Sequence, residues 1–472
     1  MLKKFSSYLD SKHDLAKDLV EKLSKKFSYV SVLGSDCEGK QFHITETDVE
    51  IKESDWQERG FVVRVFANGL FSEYSFDDLD DVKNICEEII KSVDISDQLY
   101  KAIYAKSRTN MAYDEDNIER LFSKMGEFTD VNQQDIIDMS KKIIADSMED
   151  NEYIIAAYTD IEYLKVSKMF ISNKKDLRQV YAWANANYSC VVNKNGITKS
   201  CYGGASSISL KSALEELNQK VKNINDEATT LLDATQVEPG LYDCITSPEI
   251  TGLIAHESFG HGLEMDMFVK NRALAKDYMG RSIGSSLVNM HDGAIPYNDV
   301  SSYYFDDEGN LAHDTILVEN GKLVNGMCDA ITARQLGLIP TGNGKRENYR
   351  HKAYTRMTST YFMPGKSSLE DMIKSIDYGY LIDIEYSGME DPKNWQIQCV
   401  ALVGKEIKDG QLTGKVVSPL IITGYLPDVL STVSMISKDF KLYGTGSCGK
   451  GYKEYTKVAL GGPYMKVKVK LG

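Results

Sequence analysis

ITGLIAHESFGHGLEMD, Ile250 to Asp266, sets two imidazoles, His256 and His261, around one carboxylate, Glu257, inside an apolar run. A hydrolytic zinc site needs those groups: neutral nitrogens to hold the ion and a base to take a proton from bound water. In the familiar H-E-x-x-H arrangement, an i, i+4 spacing puts both histidines on one face of a helix. Here the spacing is i, i+5. Five residues of ideal helix advance roughly 500°, so the two side chains would diverge by roughly 140°. Both can reach one ion only if the helix takes up an extra residue, as in a π-bulge, or breaks between them. Gly260 and Gly262 stand where that distortion is least costly, because glycine tolerates unusual dihedrals. Ser247 reads as the N-cap of this helix and Pro248 as its first residue. The run Leu253-Ile254-Ala255 argues against a solvated helix face.

All nine prolines fall at or after Pro239. That shift places a boundary at Val237-Glu238-Pro239-Gly240, just before the histidine motif. A chain of 472 residues exceeds one ordinary core. The expected fold class is α+β: an N-terminal α/β-layer domain plus a β-rich C-terminal domain carrying the metal-binding helix. The expected division is 1–110 for the N-terminal domain, 111–236 for a central segment, and 237–472 for the C-terminal metal-binding catalytic domain.

Residues 8–27 have helical spacing, and 29–74 read as strands, with Ala67-Asn68-Gly69 as a hairpin turn. Residues 77–93 read as helix, 113–148 as two charged helices, 153–171 and 179–192 as strands, and 207–232 as helix. Asn195-Gly196 and Glu319-Asn320-Gly321-Lys322 are hairpin turns. Beyond the motif helix the expected strands are 301–305, 315–319, 322–327, 380–385, 396–403 and 415–422. Residues 1–236 show no catalytic constellation. Their acidic runs, Asp77 to Asp81 and Asp114-Glu115-Asp116, read as a helix start and solvated surface.

A net charge of −14 gives no counterion release on nucleic acid, so no nucleic-acid partner is expected. No run approaches ~18 apolar residues, so no membrane span is expected. MLKKFSSYLDSKHDL lacks an apolar secretory core, and the eight dispersed cysteines form no C-x-x-C pair. A cytoplasmic protein with reduced thiols is the reading.

Near the end, GTGSCGKG, Gly444 to Gly451, nearly imitates a phosphate-binding loop. Gly451 stands where that motif needs a hydroxyl, and no clear amphipathic helix follows. The loop better serves to present Cys448, whose thiol Lys450 could acidify. A thiol there could also be merely structural.

Three separated motifs together resemble the TldD/PmbA family of metallopeptidases, formerly described as gyrase modulators. They are HESFGHGLEMD from His256, PTGNGKRENYRHKAYTRMTSTYFMPG from Pro340, and GTGSCGKG ending at Gly451. The resemblance is specific over about residues 238–452. It implies that His256, His261 and Cys448 hold one Zn²⁺ per chain and that Glu257 is the general base. Three protein ligands leave one position for water. Glu264 is a rival ligand whose place one turn beyond His261 suits orientation of that ligand better, and Asp266 is similar. Arg346, Glu347, Tyr349, Arg356 and Thr358 read equally as substrate-binding groups or as a structural polar network. His291, His313 and His351 read as ordinary. After Lys450 the chain departs from the short acidic and Gln-containing loop usual in catalytic members.

By resemblance the expected function is hydrolysis of peptide bonds in short or unfolded polypeptides. The expected assembly is a homodimer, or a heterodimer with a PmbA-like paralogue. Retention of the histidine pair marks the active type. The alternative is a non-catalytic, gyrase-modulator-like regulatory partner holding structural zinc, which would require a fourth protein ligand such as Glu264.

Overall fold

The computed structural model describes residues 5–67, 69–103, 118–126, 132–297, 299–450 and 454–472. The chain builds two large sheets, with helices packed on them, in an α+β arrangement. In the first sheet, the strands run in the order Leu70–Phe76, Glu58–Ala67, Tyr29–Thr45, Ile154–Ser172, Lys175–Lys194 and Ile118–Met125. The sheet draws on both the 1–110 and the 111–236 stretches, because Tyr29–Thr45 pairs antiparallel with Ile154–Ser172.

Side chains alternate across a strand, and that alternation assigns the two faces of this sheet. Val30 and Val32 pack with Leu9, Leu19, Ile85 and Ile89 of the helices Ser7–Ser24 and Val82–Ile103. Leu33 points the other way and packs with Phe305 and Tyr349 of the C-terminal half. Helices therefore cover one face, and the part of the chain that carries the histidine motif covers the other.

The second sheet closes on itself. Gly240–Thr246, Tyr378–Asp391, Gln396–Lys408, Leu420–Tyr425 and Ala459–Leu471 pair in that order, and the last returns to the first. Closure removes the free edges of the ring and gives a barrel. The short helix Pro248–Leu253 packs against Ala459–Leu471. At Gly252 the approach is backbone to backbone: a Cβ there would stand 2.4 Å from the Gly461 nitrogen. The helix thus leaves the first barrel strand, crosses the last, and carries the histidine motif into a core that includes Phe259, Met357, Trp395 and Cys399.

Several local expectations change. Ile118–Met125 is a strand, parallel to Lys175–Lys194, where a charged helix is expected; sheet pairing overrides its helical spacing. Residues 301–305 form a loop buried at all but Tyr304, because Tyr303 and Phe305 pack against the first half while Gln179 Oε1 accepts from the backbone N–H groups of Tyr304 and Phe305. The strand expected over 322–327 shrinks to Lys322–Leu323. The stretch 415–422 divides between the strands Gln411–Val417 and Leu420–Tyr425. The turns at Asn195-Gly196 and Asn320-Gly321 have positive φ at both residues, as their sequences require. Asn68 and the acidic run at 114–116 lie outside the described residues.

Candidate metal centre

The motif segment starts as a regular helix. Ser247 accepts from the backbone N–H of Ile250 and Pro248 opens the first turn. From Ile254 to Gly260 the backbone widens into a π-helix, then tightens into a 3₁₀ turn at His261–Leu263. The wider turn absorbs the extra residue of the i, i+5 spacing. The two imidazole rings end 5.3 Å apart between centroids, at 80° to each other. Gly260 closes the π-turn where no side chain fits: a Cβ would stand 2.2 Å from Met357 Sδ.

Nearly two hundred residues later, the loop after Tyr443 returns Cys448 to the same place. Its sulfur lies 3.3 Å from His261 Nε2. One ligand atom from each of His256, His261 and Cys448 can be chosen so that all three lie within 4.8 Å of one another. Glu257 stands beside them, with carboxylate oxygens 3.8 Å from His256 Nε2 and 4.0 Å from His261 Nε2. Its side chain is about a quarter exposed, opening on a cleft of about 900 Å³ that His261, Tyr354, Gly388, Met389 and Lys450 also line.

The electrostatics match a cation site. Burial opposes ionisation of Cys448, but the charge of His256 and hydrogen bonds from His256 and His261 outweigh it and hold the thiol at about 4. Burial opposes charge on His261 too, yet Cys448 and Glu264 raise it well above the usual imidazole range. Arg356, itself buried, donates from Nη2 to both the carbonyl oxygen (2.7 Å) and the sulfur (3.2 Å) of Cys448, and from Nη1 to the Glu454 carbonyl. His256 Nδ1 is buried and has no hydrogen-bond partner among the described residues. Two imidazoles and a readily ionised thiol form a borderline-soft donor set, which fits Zn²⁺.

Glu264 is wholly buried. Its Oε2 lies 3.2 Å from His261 Nδ1 and 3.0 Å from Lys450 Nζ, and Oε1 lies 3.6 Å from Arg356 Nε. Burial alone would raise its pKa, but Lys450, His261 and Arg356 hold it well below the usual carboxylate range. It meets His261 at Nδ1, while Cys448 meets the same ring at Nε2. Lys450 departs from expectation: its ammonium is taken by Glu264, Asp266 and the Thr355 carbonyl, while the histidines acidify the thiol.

The middle motif divides. Arg356 joins the centre, bonding the carbonyl oxygen and sulfur of Cys448. Arg346 instead bonds Glu73 of the first sheet and the His351 carbonyl. Tyr349 donates to Asp77 and its backbone N–H bonds Glu58. These two join the halves of the molecule. Thr358 hydrogen-bonds Asp292. Glu347 pairs with His351, and His351 lines the cleft. Gly388, Met389 and Pro392 of the cleft carried no signal in the sequence, being more than 120 residues from the motif with no titratable group.

A family profile described as the PmbA/TldA metallopeptidase C-terminal domain matches residues 239–471. A protein named Metalloprotease TldD homolog, from Buchnera aphidicola of Acyrthosiphon pisum, is 33% identical over 238 residues. The match covers 50% of this chain and 49% of that one. The Zinc metalloprotease TldD homolog of Saccharolobus solfataricus is 31% identical over 254 residues, 54% of this chain and 56% of its own. The chain thus spans about half the length of the curated relatives it matches. Two solved structures share the fold across 97% of this chain. One is TldE from Thermococcus kodakarensis, at a TM-score of 0.71 and 17% identity, with 100% of that chain covered. The other is a Thermotoga maritima protein described as a candidate modulator of a DNA gyrase, at 0.75 and 19%, with 99% covered. With the profile, the relatives and the shared fold in agreement, the chain belongs, through residues 239–471, to the PmbA/TldD metallopeptidase family.

Proposed function

We propose that this chain is a zinc-dependent metallopeptidase that hydrolyses peptide bonds in short or unfolded polypeptides. The observation that carries this reading is the convergence of His256, His261 and Cys448 beside Glu257 at the wall of an open cleft. His256 and His261 would hold the ion through nitrogen and Cys448 through sulfur, one zinc per chain. Bound there, zinc supplies Lewis acidity, which acidifies water and polarises a carbonyl.

Glu257 has the position of a general base. It faces both imidazoles yet keeps access to the cleft, so it can take a proton from water and return it to the departing amine. Glu264 holds His261 from its far nitrogen, and Arg356 secures the cysteine loop from below. Three ligands, two of them on a shared helical segment, leave room for substrate. The four-ligand structural alternative needs a fourth protein ligand, and Glu264, the candidate named for it, is already engaged with His261, Lys450 and Arg356.

A cytoplasmic location, and pairing either with an identical chain or with a PmbA-like paralogue, complete the proposal. No helix among the described residues is long and apolar enough to cross a membrane.

Replacement of the base tests the mechanism. Glu257→Gln is expected to bind zinc as the wild type does and to lose cleavage of an unfolded protein. Full activity in that variant would overturn the assignment.

A further inference from the structure

The strand Tyr378–Asp391 passes Glu257 at an unusual point. It carries a register irregularity between Glu385 and Ser387 against Gln396–Lys408, and Ile384 just before it sits at φ +57°. A β-branched residue in the left-handed region is strained, and such strain persists only where the surrounding structure enforces it. A bulge bends a strand and re-aims the residues that follow. The residue re-aimed here is Gly388, which pairs with Cys399 and lines the cleft.

Gly388 lies directly against the side chain of Glu257. A Cβ at position 388 would stand 2.6 Å from Glu257 Cγ, 2.8 Å from Glu257 Cβ and 3.0 Å from Leu253 Cδ1. Its φ is not left-handed, so conformation does not demand glycine; space does. Glu257 cannot retreat freely. Its backbone is fixed in the π-turn, Leu253 closes one side, and its carboxylate already faces His256 and His261.

We propose that Gly388 is a positioning residue for Glu257: its missing side chain leaves the space in which the Glu257 stem lies, and so sets where the carboxylate stands beside the metal ligands. The inference rests on the reading of Glu257 as general base. A methyl group at 388 would push the Glu257 stem by several tenths of an ångström or more, and its three nearest atoms all belong to Glu257 and Leu253, not to a metal ligand. Proton transfer depends on placement within hydrogen-bond reach, so the defect falls on the chemical step.

The test uses the full chain loaded with zinc. Wild type, Gly388→Ala and Glu257→Gln are compared for zinc content, for kcat and KM on a quenched fluorescent peptide, and for affinity toward a peptide hydroxamate. A hydroxamate bound to the metal offers a hydroxyl proton to the base, so its affinity reports the placement of Glu257 without turnover. Gly388→Ala is expected to keep its zinc and a KM within about twofold of wild type. Its kcat should fall on the order of 100-fold, the loss that a misplacement of about 1 Å produces. Its hydroxamate binding should weaken in the same direction as that of Glu257→Gln. Wild-type kcat and hydroxamate affinity in Gly388→Ala, with Glu257→Gln inactive, would overturn the inference and leave the mechanism standing. A raised KM at unchanged kcat would show a methyl that merely narrows the cleft, and loss of zinc or of folding would assign the glycine to packing; either result also overturns it. Wild-type cleavage by Glu257→Gln would instead remove the underlying reading.

Discussion

Cys448 and Arg356 show how much of this site depends on contacts between single residues. The thiol is held at about 4 because two imidazoles outweigh its burial, and a guanidinium reaches both its sulfur and its carbonyl. Cys448→Ala is expected to remove zinc from the purified protein, read by metal analysis. Arg356→Met removes a buried cation whose partners are the cysteine loop and Glu264. Breaking a buried charge network by deleting one partner costs about 3–5 kcal/mol. Zinc affinity should fall about 10–100-fold, the usual effect of losing a group that orients a ligand. Urea unfolding and zinc titration would read these two effects separately.

The histidine segment is a regular helix, a π-turn and a 3₁₀ turn in succession, and each part answers to a different neighbour. The first turn lies against the backbone of Gly461, so Gly252→Ala should destabilise the fold by about 3 kcal/mol through overpacking. Thermal melting of the zinc-loaded protein would show it. The π-turn is packed by Met357, which occupies the space a side chain at 260 would need. Spacing predicts a distortion between the histidines, and the π-turn supplies it. Which distortion formed was not legible in the residues, because Met357 comes from a separate stretch of chain. Likewise Ile118–Met125 has the spacing of a helix yet forms a strand, since the neighbouring Lys175–Lys194 offers it hydrogen bonds that no local pattern records.

The two halves of the molecule are joined by buried ion pairs. Glu73 of the first sheet bonds Arg346 of the second half and Arg64 of its own; Arg64 also pairs with Glu308. Burial would raise the pKa of Glu73, but Arg64 and Arg346 lower it to about 2. Its unfolded value is near 4.5, so the folded value is the depressed one. The pair therefore stabilises fully above about pH 4.5 and is lost as pH falls through about 2. A shift of this size corresponds to about 3 kcal/mol. Urea unfolding between pH 6 and pH 2.5 should show stability falling with pH, and Glu73→Gln should flatten that dependence. A Glu73→Gln slope equal to that of the wild type would show that other carboxylates dominate.

Read alone, the sequence set the candidate site: His256, Glu257 and His261 read as a metal site by type and spacing, and an α+β fold with a β-rich C-terminal half follows from periodicity. Those features are local, so residues within one or two turns encode them. The loop GTGSCGKG singled out Cys448, but only the resemblance between separated motifs chose a ligand over a structural thiol, because nothing adjacent to it states what it faces. Tertiary structure decided the rest. It closed the barrel, seated Arg356 against Cys448 rather than in the cleft, turned Arg346 and Tyr349 toward the first sheet, and laid Gly388 under Glu257. Each of these is a contact across a long sequence separation. Such contacts follow from which apolar faces must be buried together, a property of the whole chain and not of any one stretch.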